Sequence, residues 1–365
     1  MQQPVADRQY THGAEPGMAV LLLNLGTPDA PTAPALRRYL REFLSDQRVV
    51  EIPRALWLPL LNGIILPLRA PKSAAKYASI WQADGSPLAS GTAALARGMQ
   101  ASLAAKGHQV IVRHAMRYGN PATTAVLDEL HAQGVTRLLL VPLYPQYSAA
   151  TTASSLDAVM AWLRRARRQP ELRTLRNYAD DSGYITALAR KIQRHWAEHG
   201  RAEQLIMSFH GMPQRTLKLG DPYHCECHKT SRLLGQALGL DASQYKVTFQ
   251  SRFGKQAWLQ PYTEPTLRAL AKAGTQRVDV VCPGFAVDCL ETLEEIAVEG
   301  KQAFLSSGGG EYHYIPCLNA DPGWVEAFSG LIETHLQGWP TRRTVDAAQR
   351  NASRDRAKAM GADNV

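Results

Sequence analysis

A histidine at the end of an apolar run is the first candidate for chemistry in this 365-residue chain. Residues 205–209 predict a strand, and Gly211-Met212-Pro213 ends it, so His210 is expected in a loop at the C-terminal end of that strand. Open α/β sheets bind their ligands at this edge. A neutral imidazole, with an ordinary pKa near ~6.5, accepts a proton or ligates a metal at neutral pH. A hydrogen-bonded structural histidine is the alternative interpretation.

An acidic segment directly after the apolar strand 278–282 is the second candidate. Four carboxylates recur there at helical spacing and predict one stripe on a helix: Asp288, Glu291, Glu295 and Glu299. An imidazole at one strand end and carboxylates at another suit the handling of a divalent cation, of protons, or of both. Because a helix dipole favours acidic residues in any first turn, a solvated helix face is the alternative.

Three short motifs recur in the same order in both halves of the chain. The pairs are 24–28 with 209–213, 117–119 with 252–254, and 134–142 with 274–283. This repeat predicts two similar α/β lobes, each a parallel sheet flanked by crossover helices, that face each other across a central cleft. We expect lobe one at residues 18–175 and lobe two, with His210 and Glu291, at residues 176–336.

Lobe one carries an insertion at about residues 50–85 that lobe two lacks. Its apolar run, residues 55–68, contains two prolines and is shorter than the ~20 residues needed to span a bilayer. Arg69, Lys72 and Lys76 follow at once. An apolar patch with a basic border suits a surface that rests on a membrane or admits a greasy, anionic ligand. A segment packed inside its own lobe is the alternative.

Charge and cysteine content limit the possible partners and compartment. The net charge of +9 is concentrated partly in residues 164–168 and in the tail, without the interleaved aromatics of a nucleic-acid platform, so we expect no nucleic-acid partner. Five cysteines and a polar segment 1–17 without an apolar signal core predict reduced thiols in the cytoplasm. Residues 1–17 and the basic tail 337–365 are predicted to be flexible.

The segment His224-Cys225-Glu226-Cys227-His228 has the residue types of a metal site. A tetrahedral zinc ion usually takes its ligands as two separated pairs. Cys282 and Cys289 supply a second pair only if the fold brings them close. A reactive or structural loop is the alternative, so the sequence leaves open whether Cys225 and Cys227 bind a metal.

From residue 18 to about residue 335 the chain resembles the ferrochelatase family, which inserts ferrous iron into protoporphyrin IX as the last step of haem synthesis. The motifs that carry the resemblance are, in family order, LNLGTP at 23–28, GSPL at 85–88, YPQYS at 144–148, SFHG at 208–211, FQSRFG at 249–254, and PGF at 283–285 with DCLETL at 288–293. The resemblance implies two Rossmann-like lobes with the porphyrin between them. It also implies that the insertion forms an apolar lip at the cleft mouth.

The resemblance implies roles for the imidazole and the carboxylates. His210 occupies the place of the family's active-site histidine, and Glu291 matches its partner glutamate. Both are therefore expected to bind the metal and to act in catalysis. Asp288 and Glu295 match the acidic line that leads away from the ring, which implies a path for protons or ions.

The resemblance further implies which residues line the porphyrin cleft. Arg117 and Tyr118 match a pocket-lining pair on the wall opposite His210. Together with aromatic and aliphatic candidates elsewhere, the predicted porphyrin contacts are Leu25, Arg117, Tyr118, Trp258 and Phe285.

Two departures from the animal members affect these expectations. Cys289 stands where animal members carry a histidine, so a proton-relay role for that side chain is in doubt. Animal forms take one [2Fe–2S] ligand from the loop around 144–149 and the others from a C-terminal extension. Here Ala149 stands in the loop and no cysteine follows Cys317. We therefore expect no cluster and no cofactor besides the ferrous iron substrate.

Related functions remain open at this point. Coproporphyrin could replace protoporphyrin IX, a cobalt chelatase could act on a corrin precursor, and a tetrapyrrole carrier could bind the ring without metallating it. We expect a cytoplasmic protein with protoporphyrin IX and ferrous iron as substrates and with peripheral contact at the inner face of the membrane.

Overall fold

Eight parallel strands form two sheets in the computed structural model, which describes residues 15–252, 254, 256–342 and 347–362. The strands are β1 Gly17–Thr27, β2 Ile111–Gly119, β3 Val135–Pro142, β4 Glu171–Thr174, β5 Gln204–His210, β6 Tyr245–Gln250, β7 Arg277–Val281 and β8 Glu311–Ile315. The sheet orders are β2-β1-β3-β4 and β6-β5-β7-β8. The same order in both sheets confirms the two similar α/β lobes that the repeated motifs predict.

The central strands are apolar throughout because helices cover both faces of each sheet. Residues 19–23 of β1 and residues 205–209 of β5 are buried, so alternating polarity is absent from both strands. In lobe two, β5 pairs with β6 in a register that places His210 beside Gln250. Parallel pairing therefore brings the C-terminal ends of β5 and β6 to one edge of the sheet.

Helices fill the connections between the strands. They are α1 Ala33–Leu44, α2 Arg54–Leu60, α3 Leu66–Ile80, α4 Pro87–Ala105, α5 Thr123–Ala132, α6 Ser154–Leu163, α7 Ser182–His199, α8 Gln214–Lys218, α9 Tyr223–Ala237, α10 Thr263–Lys272, α11 Lys301–Leu305, α12 Pro322–Leu336 and α13 Ala347–Ala359. Three segments are π-helical: Leu61–Ile65, Ala149–Ala153 and Glu291–Gly300.

One hydrophobic core joins the two sheets. It contains Leu22 of β1, Phe209 of β5 and Phe328 of α12, all fully buried. Trp324 stacks on Phe328 with ring centroids 4.5 Å apart. The helix α12 follows the last strand of lobe two and packs against both α4 and α7. A shared core of this kind holds the lobes in a fixed arrangement, while the boundary at residue 175 stays a prediction.

The insertion in lobe one is a helical segment, residues 54–80, that we call the lip. Its inner side packs on α1 and on Tyr118, and it buries Trp57, Leu61 and Tyr77. Its outer side carries large apolar side chains at intervals of four residues, which we call the lip stripe. The members and their exposed fractions are Leu56 71%, Leu60 42%, Ile64 54% and Leu68 65%. The predicted insertion is therefore both packed against its lobe and apolar on its outside.

Trp339, at the start of the predicted tail, belongs to the shared core, whereas α13 buries no side chain. Residues 1–14 of the predicted flexible N-terminus lie outside the described residues. Within the predicted tail, residues 347–359 form α13, whose side chains are exposed or half-buried, and residues 343–346 and 363–365 lie outside the described residues. The flexibility of both ends stays a prediction. Over the described ranges, no helix is long and apolar enough to cross a bilayer.

Candidate active site

His210 ends β5 with its ring half-buried and one nitrogen engaged. Its Nδ1 lies 2.7 Å from the carbonyl oxygen of Gly211. Because a carbonyl only accepts, Nδ1 carries a proton, which leaves Nε2 of the neutral ring with a lone pair. A backbone carbonyl that fixes the tautomer in this way is common for histidines that ligate metals. Tyr223 donates to the carbonyl of His210 at 3.0 Å and fixes the end of the strand.

The turn after His210 requires glycine because two neighbours approach the backbone closely. Gly211 donates its N–H to the carbonyl of Gln250 at 2.7 Å. A Cβ atom at Gly211 would lie 2.5 Å from that carbonyl oxygen and 3.1 Å from the Trp258 ring. Trp258 is buried, and its Nε1 has no hydrogen-bond partner among the described residues. The predicted contact Trp258 therefore lies directly behind the His210 loop.

Gln250 connects the histidine loop with the acidic segment. Its buried amide accepts a hydrogen bond from Ser208 at 2.7 Å and donates to the backbone carbonyl of Glu291 at 2.7 Å. Since Gln250 lies beside His210 in the sheet register, Glu291 begins its helix next to the His210 strand. The fold thus brings His210 and Glu291 together at one edge of lobe two.

Residues Glu291–Gly300 form a π-helix, which we call the acidic helix. Its hydrogen bonds run from residue i to i+5, so each turn holds more than four residues. Side chains four apart lie on neighbouring turns, and Glu291 lies close enough to Glu295 to add to the rise of its pKa. That Glu299 continues this row stays a prediction. Helices of this type occur frequently at functional sites.

Asp288 lies outside the row, and the stripe prediction is wrong for this residue. It precedes the acidic helix and is buried. Its carboxylate accepts four hydrogen bonds, at 2.5 Å from Tyr314, 3.0 Å from Thr292, 3.2 Å from the Cys317 amide and 2.6 Å from Asn319. Thr292 lies four residues further along the chain, and the other three donors are distant in sequence. Together they hold the carboxylate in the protein interior.

Glu295 is held by a strained serine. Ser251 donates both its backbone N–H and its hydroxyl to the two carboxylate oxygens, each at 2.5 Å. The φ of Ser251 is +61°, a left-handed conformation that costs about 1–2 kcal/mol for a residue with a Cβ atom. Burial raises the pKa of Glu295, and the Ser251 hydrogen bonds and nearby His210 oppose that rise. A carboxylate with a raised pKa beside an imidazole is suited to receive a proton.

Residues of lobe one face Glu291 from the other side. Burial raises the pKa of Tyr39 and of Tyr77, and the nearby Glu291 carboxylate adds to both rises. Burial also lowers the pKa of the Arg69 guanidinium, while Glu291 opposes that change. Leu290 packs against the same lip cluster. Glu291 therefore lies where the lip meets lobe two.

The thiol beside Glu291 is a buried neutral group. Burial raises the pKa of Cys289, and the nearby Glu291 carboxylate raises it further, so the thiol stays protonated at neutral pH. The backbone N–H of Cys289 donates to the Thr292 hydroxyl at 3.0 Å. At this position a protonated thiol can donate to Glu291.

The outer end of the acidic helix is tied to the lip. Lys76 of α3 lies 2.9 Å from Glu294 and 2.8 Å from Glu299. Glu294 is largely buried, and burial raises its pKa. The acidic helix therefore runs from the His210 loop to an exposed ion-pair group that joins Lys76 to Glu294 and Glu299.

The other predicted porphyrin contacts lie in different places: beside His210, on the lip cluster, and in a polar cluster around Asp46. Phe285 lies beside His210 with ring centroids 6.4 Å apart, and Leu25 packs half-buried on the lip cluster. Tyr118 is fully buried and donates to Asp46 at 2.8 Å, while Arg117 pairs with Asp46 at 2.6 Å. The fold therefore brings Phe285 and Trp258 to His210. It engages Arg117 and Tyr118 in a polar cluster beneath the lip, and their contact with a ring stays a prediction.

The segment 224–228 belongs to α9 rather than to a loop. Cys225 is exposed and Cys227 buried, and both are free thiols. The rings of His224 and His228 lie 4.5 Å apart. Within the described part of the chain, Cys282 and Cys289 do not complete a set of three ligand atoms with this segment. Its metal binding stays an open prediction.

Three functional neighbours were missed in the sequence. Gln250 and Ser251 stand inside the motif 249–254, and their position directly after a predicted strand was the available signal. Tyr39 lies in the amphipathic helix α1 and carries no local signal. Its place beside Glu291 depends on how the lip folds over α1.

The two-lobe architecture is shared with solved chelatases. SirB from Bacillus subtilis, solved with Fe³⁺, matches with a TM-score of 0.54 at 12% identity over 90% of this chain and 100% of that chain. The sirohydrochlorin chelatase SirB from Bacillus subtilis subspecies spizizenii, in complex with cobalt, matches with a TM-score of 0.52 at 10% identity over 89% of this chain and 97% of that chain. The protein therefore has the two-lobe chelatase fold.

Sequence comparison identifies the family within this fold. Residues 17–336 match the ferrochelatase family. Ferrochelatase of Polaromonas sp. is 60% identical over 357 residues, with 97% of each chain covered. Ferrochelatase of Methylibium petroleiphilum is 60% identical over 353 residues, again with 97% of each chain covered. The chain belongs to the ferrochelatase family, which confirms the predicted family and its activity as a metal-chelating lyase of haem synthesis with porphyrin and iron as substrates.

Proposed function

We propose that this protein inserts Fe²⁺ into protoporphyrin IX in the cleft between the lip and the C-terminal ends of β5 and β6. The observation that carries the proposal is the His210 ring, with its Nδ1 fixed by Gly211 and its Nε2 lone pair available, beside the Glu291–Glu295 row. Half-buried Leu25 on the lip side and Phe285 beside His210 supply apolar walls for a flat macrocycle.

The reaction has three requirements: the ion must lose water, two pyrrole protons must leave, and the ring must bend so that its nitrogen lone pairs face the metal. His210 Nε2 is suited to accept a proton or to ligate Fe²⁺. The Glu291 carboxylate favours the dication and takes part in proton removal. Walls on both sides of the ring impose the bend.

We propose that protons or ions leave along the acidic helix. Glu295, with its raised pKa, takes the next position after His210 and Glu291. Glu299 and its partner Lys76 form the outer end. Asp288 serves as a brace for the turn before the helix, because all four of its hydrogen bonds point into the protein.

The porphyrin contacts follow from the same arrangement. Leu25 of the lip side and Phe285 of the histidine side lie on opposite walls, with Trp258 supporting the His210 loop. We assign Arg117 and Tyr118 to the support of the lip through Asp46.

Removing the Ser251 hydroxyl is expected to move the pH dependence of turnover. Hydrogen bonds to a carboxylate favour its charged form, so Ser251→Ala raises the pKa of Glu295 further. If Glu295 must be ionised to accept a proton, the acid limb of kcat/KM moves to higher pH. Steady-state metallation between pH 6 and 9 measures this. Ser307→Ala, after α11, is the control. If Ser251→Ala leaves the acid limb of kcat/KM unchanged, Glu295 does not take part in the proposed proton path.

We propose that the protein is cytoplasmic and rests on the inner face of the membrane through its lip stripe. Four exposed large aliphatic side chains in one row are unusual for a water-facing helix. Lys72 is exposed four residues after Leu68, where an anionic headgroup would lie. Arg69 faces Glu291 instead, and Lys76 is paired with Glu294 and Glu299. A membrane contact here would place the cleft mouth next to the bilayer, from which an apolar porphyrin can enter.

Replacing Leu56, Ile64 and Leu68 with serine is expected to abolish binding to anionic liposomes. Each exposed aliphatic side chain that enters the interface contributes roughly 1.5–3 kcal/mol, while their loss leaves the buried side of the lip intact. Co-sedimentation with phosphatidylglycerol vesicles measures the change. Leu219→Ser is the matched control, since Leu219 is 63% exposed and lies outside the lip. Equal sedimentation of the triple variant and wild type would contradict the membrane proposal.

We propose that no cofactor is required besides the ferrous iron substrate. All five cysteines lie in the described residues, and none of them belongs to a group of three or more metal-ligating side chains that lie close together. Anaerobic protein freed of metal by a chelator should turn over at the full rate when only Fe²⁺ and porphyrin are added. A requirement for added sulfide or a second metal would contradict this.

The choice of ring is tested by direct competition. Under anaerobic conditions, kcat/KM for protoporphyrin IX is compared with kcat/KM for coproporphyrin at equal Fe²⁺. An apolar cleft behind an apolar lip favours the less charged ring, so protoporphyrin IX should be preferred. Preference for coproporphyrin would mean that the protein metallates coproporphyrin rather than protoporphyrin IX.

A further inference from the structure

Three histidines converge on the face of the lobe-two sheet that α7 covers. His195 and His199 lie four residues apart on α7, and His313 lies on β8. Their candidate ligand nitrogens all lie within 4.8 Å of one another. The ring centroids are 4.6 Å apart for His195 and His199, and 5.2 Å apart from each of these to His313.

Strand register explains why the third histidine meets the helix pair. His313 of β8 pairs with Asp279 of β7 in the parallel ladder, so both side chains point to the same face of the sheet. Trp196 of α7 donates to Asp279 at 2.7 Å and fixes α7 over that face. The i and i+4 positions of α7 then place His195 and His199 on one side of the helix.

The group contains buried polar atoms without partners. Asp279 is fully buried, and its Oδ1 has no hydrogen-bond partner in the described part of the chain. His195 Nε2 likewise has none, and it lies 3.8 Å from that oxygen. A carboxylate behind a histidine is also the usual orienting partner of a metal ligand.

The surrounding charges suit a cation. Glu311 lies 2.5 Å from His313, and Asp279 adds a second carboxylate. Arg277 lies 3.5 Å from each of these carboxylates and balances part of their charge.

We propose that His195, His199 and His313 form a second metal site, for a divalent transition ion such as Zn²⁺, Co²⁺, Ni²⁺ or Fe²⁺, with Asp279 as the orienting carboxylate. Imidazole donors suit these ions. Asp279 pairs with Leu205, five residues before His210 in β5, so the site lies roughly 16 Å along the sheet from the active-site histidine at ~3.3 Å per residue. A bound ion would tie the edge strand β8 to α7.

The test uses full-length His210→Ala protein, in which the active-site imidazole is absent. Titration with Zn²⁺ and with Ni²⁺ against a competing indicator should give one bound ion per chain and a higher melting temperature. His199→Ala should weaken binding by about tenfold or more, and Asp279→Asn by about 10–100-fold, as is typical of an orienting partner. Because His199 is exposed, its replacement leaves the fold intact even if Asp279→Asn does not fold.

A matched pair serves as control. His224 and His228 lie four apart on α9 with rings 4.5 Å apart, and their double alanine variant should bind metal as before. Loss of binding in that control, or unchanged affinity in His199→Ala and His313→Ala, would overturn the proposal. So would the absence of a stoichiometric ion in the His210→Ala protein.

Discussion

Replacing His210 with alanine is expected to reduce metallation by about 10²–10⁴-fold, the usual contribution of a positioned acid–base group. The half-buried ring lies at a strand end and adds little to the core, so folding and porphyrin binding should persist. Loss of the Nε2 lone pair removes both a proton acceptor and a metal ligand. Anaerobic conversion of protoporphyrin IX to haem, followed by absorbance, measures the rate, and porphyrin fluorescence quenching measures binding.

Another histidine serves as the control for this substitution. His224→Ala removes a half-buried imidazole of the same lobe that lies on α9. Its turnover should match the wild type. Ordinary turnover in folded His210→Ala would show that the strand-end histidine is structural.

Glu291→Gln is expected to cut turnover by about 10²-fold or more while porphyrin affinity changes little. The amide keeps the size and the hydrogen-bonding shape of the side chain but carries no charge and takes no proton. Glu291 should matter more than Glu295, because it stands where Tyr39, Tyr77 and Arg69 close the cleft from the lip side.

Substitution of Asp288 is expected to lower stability, whereas substitution of Glu291 is expected to lower turnover. Asp288→Asn sets an amide N–H₂ against the donors of Tyr314 and Asn319 and should lower the free energy of unfolding by about 1.5–3 kcal/mol. Turnover and thermal melts of the Gln and Asn variants at 288, 291 and 295 measure both effects. Wild-type activity in Glu291→Gln, or a larger loss in Glu295→Gln, would mean that another carboxylate leads the reaction.

The fold was predictable because its signals are local and repeated. Apolar strands that end at glycine recur in both halves, and parallel pairing then places the strand ends at one edge of each sheet. His210 could be identified in this way from residues 205–213 alone. The apolar run 55–68 was also visible, but the run alone does not show which of its side chains face outward.

The remaining features depend on partners that are distant in sequence. Helical spacing places Asp288 in the stripe, but Tyr314 and Asn319 bind it before the helix begins. Tyr118 lies near the end of β2, and Asp46 accepts the hydrogen bond of its hydroxyl beneath the lip. Tyr39 reaches Glu291 only because the lip folds over α1. None of these contacts leaves a periodic signal in the sequence.

A crystal structure of the wild-type protein with metal-free protoporphyrin IX tests the central claim most directly. We expect a ring between Leu25 and Phe285, with His210 Nε2 within about 2.6–3.2 Å of a pyrrole nitrogen, or linked to it by one water molecule, and with Glu291 on the same face. A ring bound outside this cleft, or a His210 imidazole turned away from every pyrrole nitrogen, would contradict it.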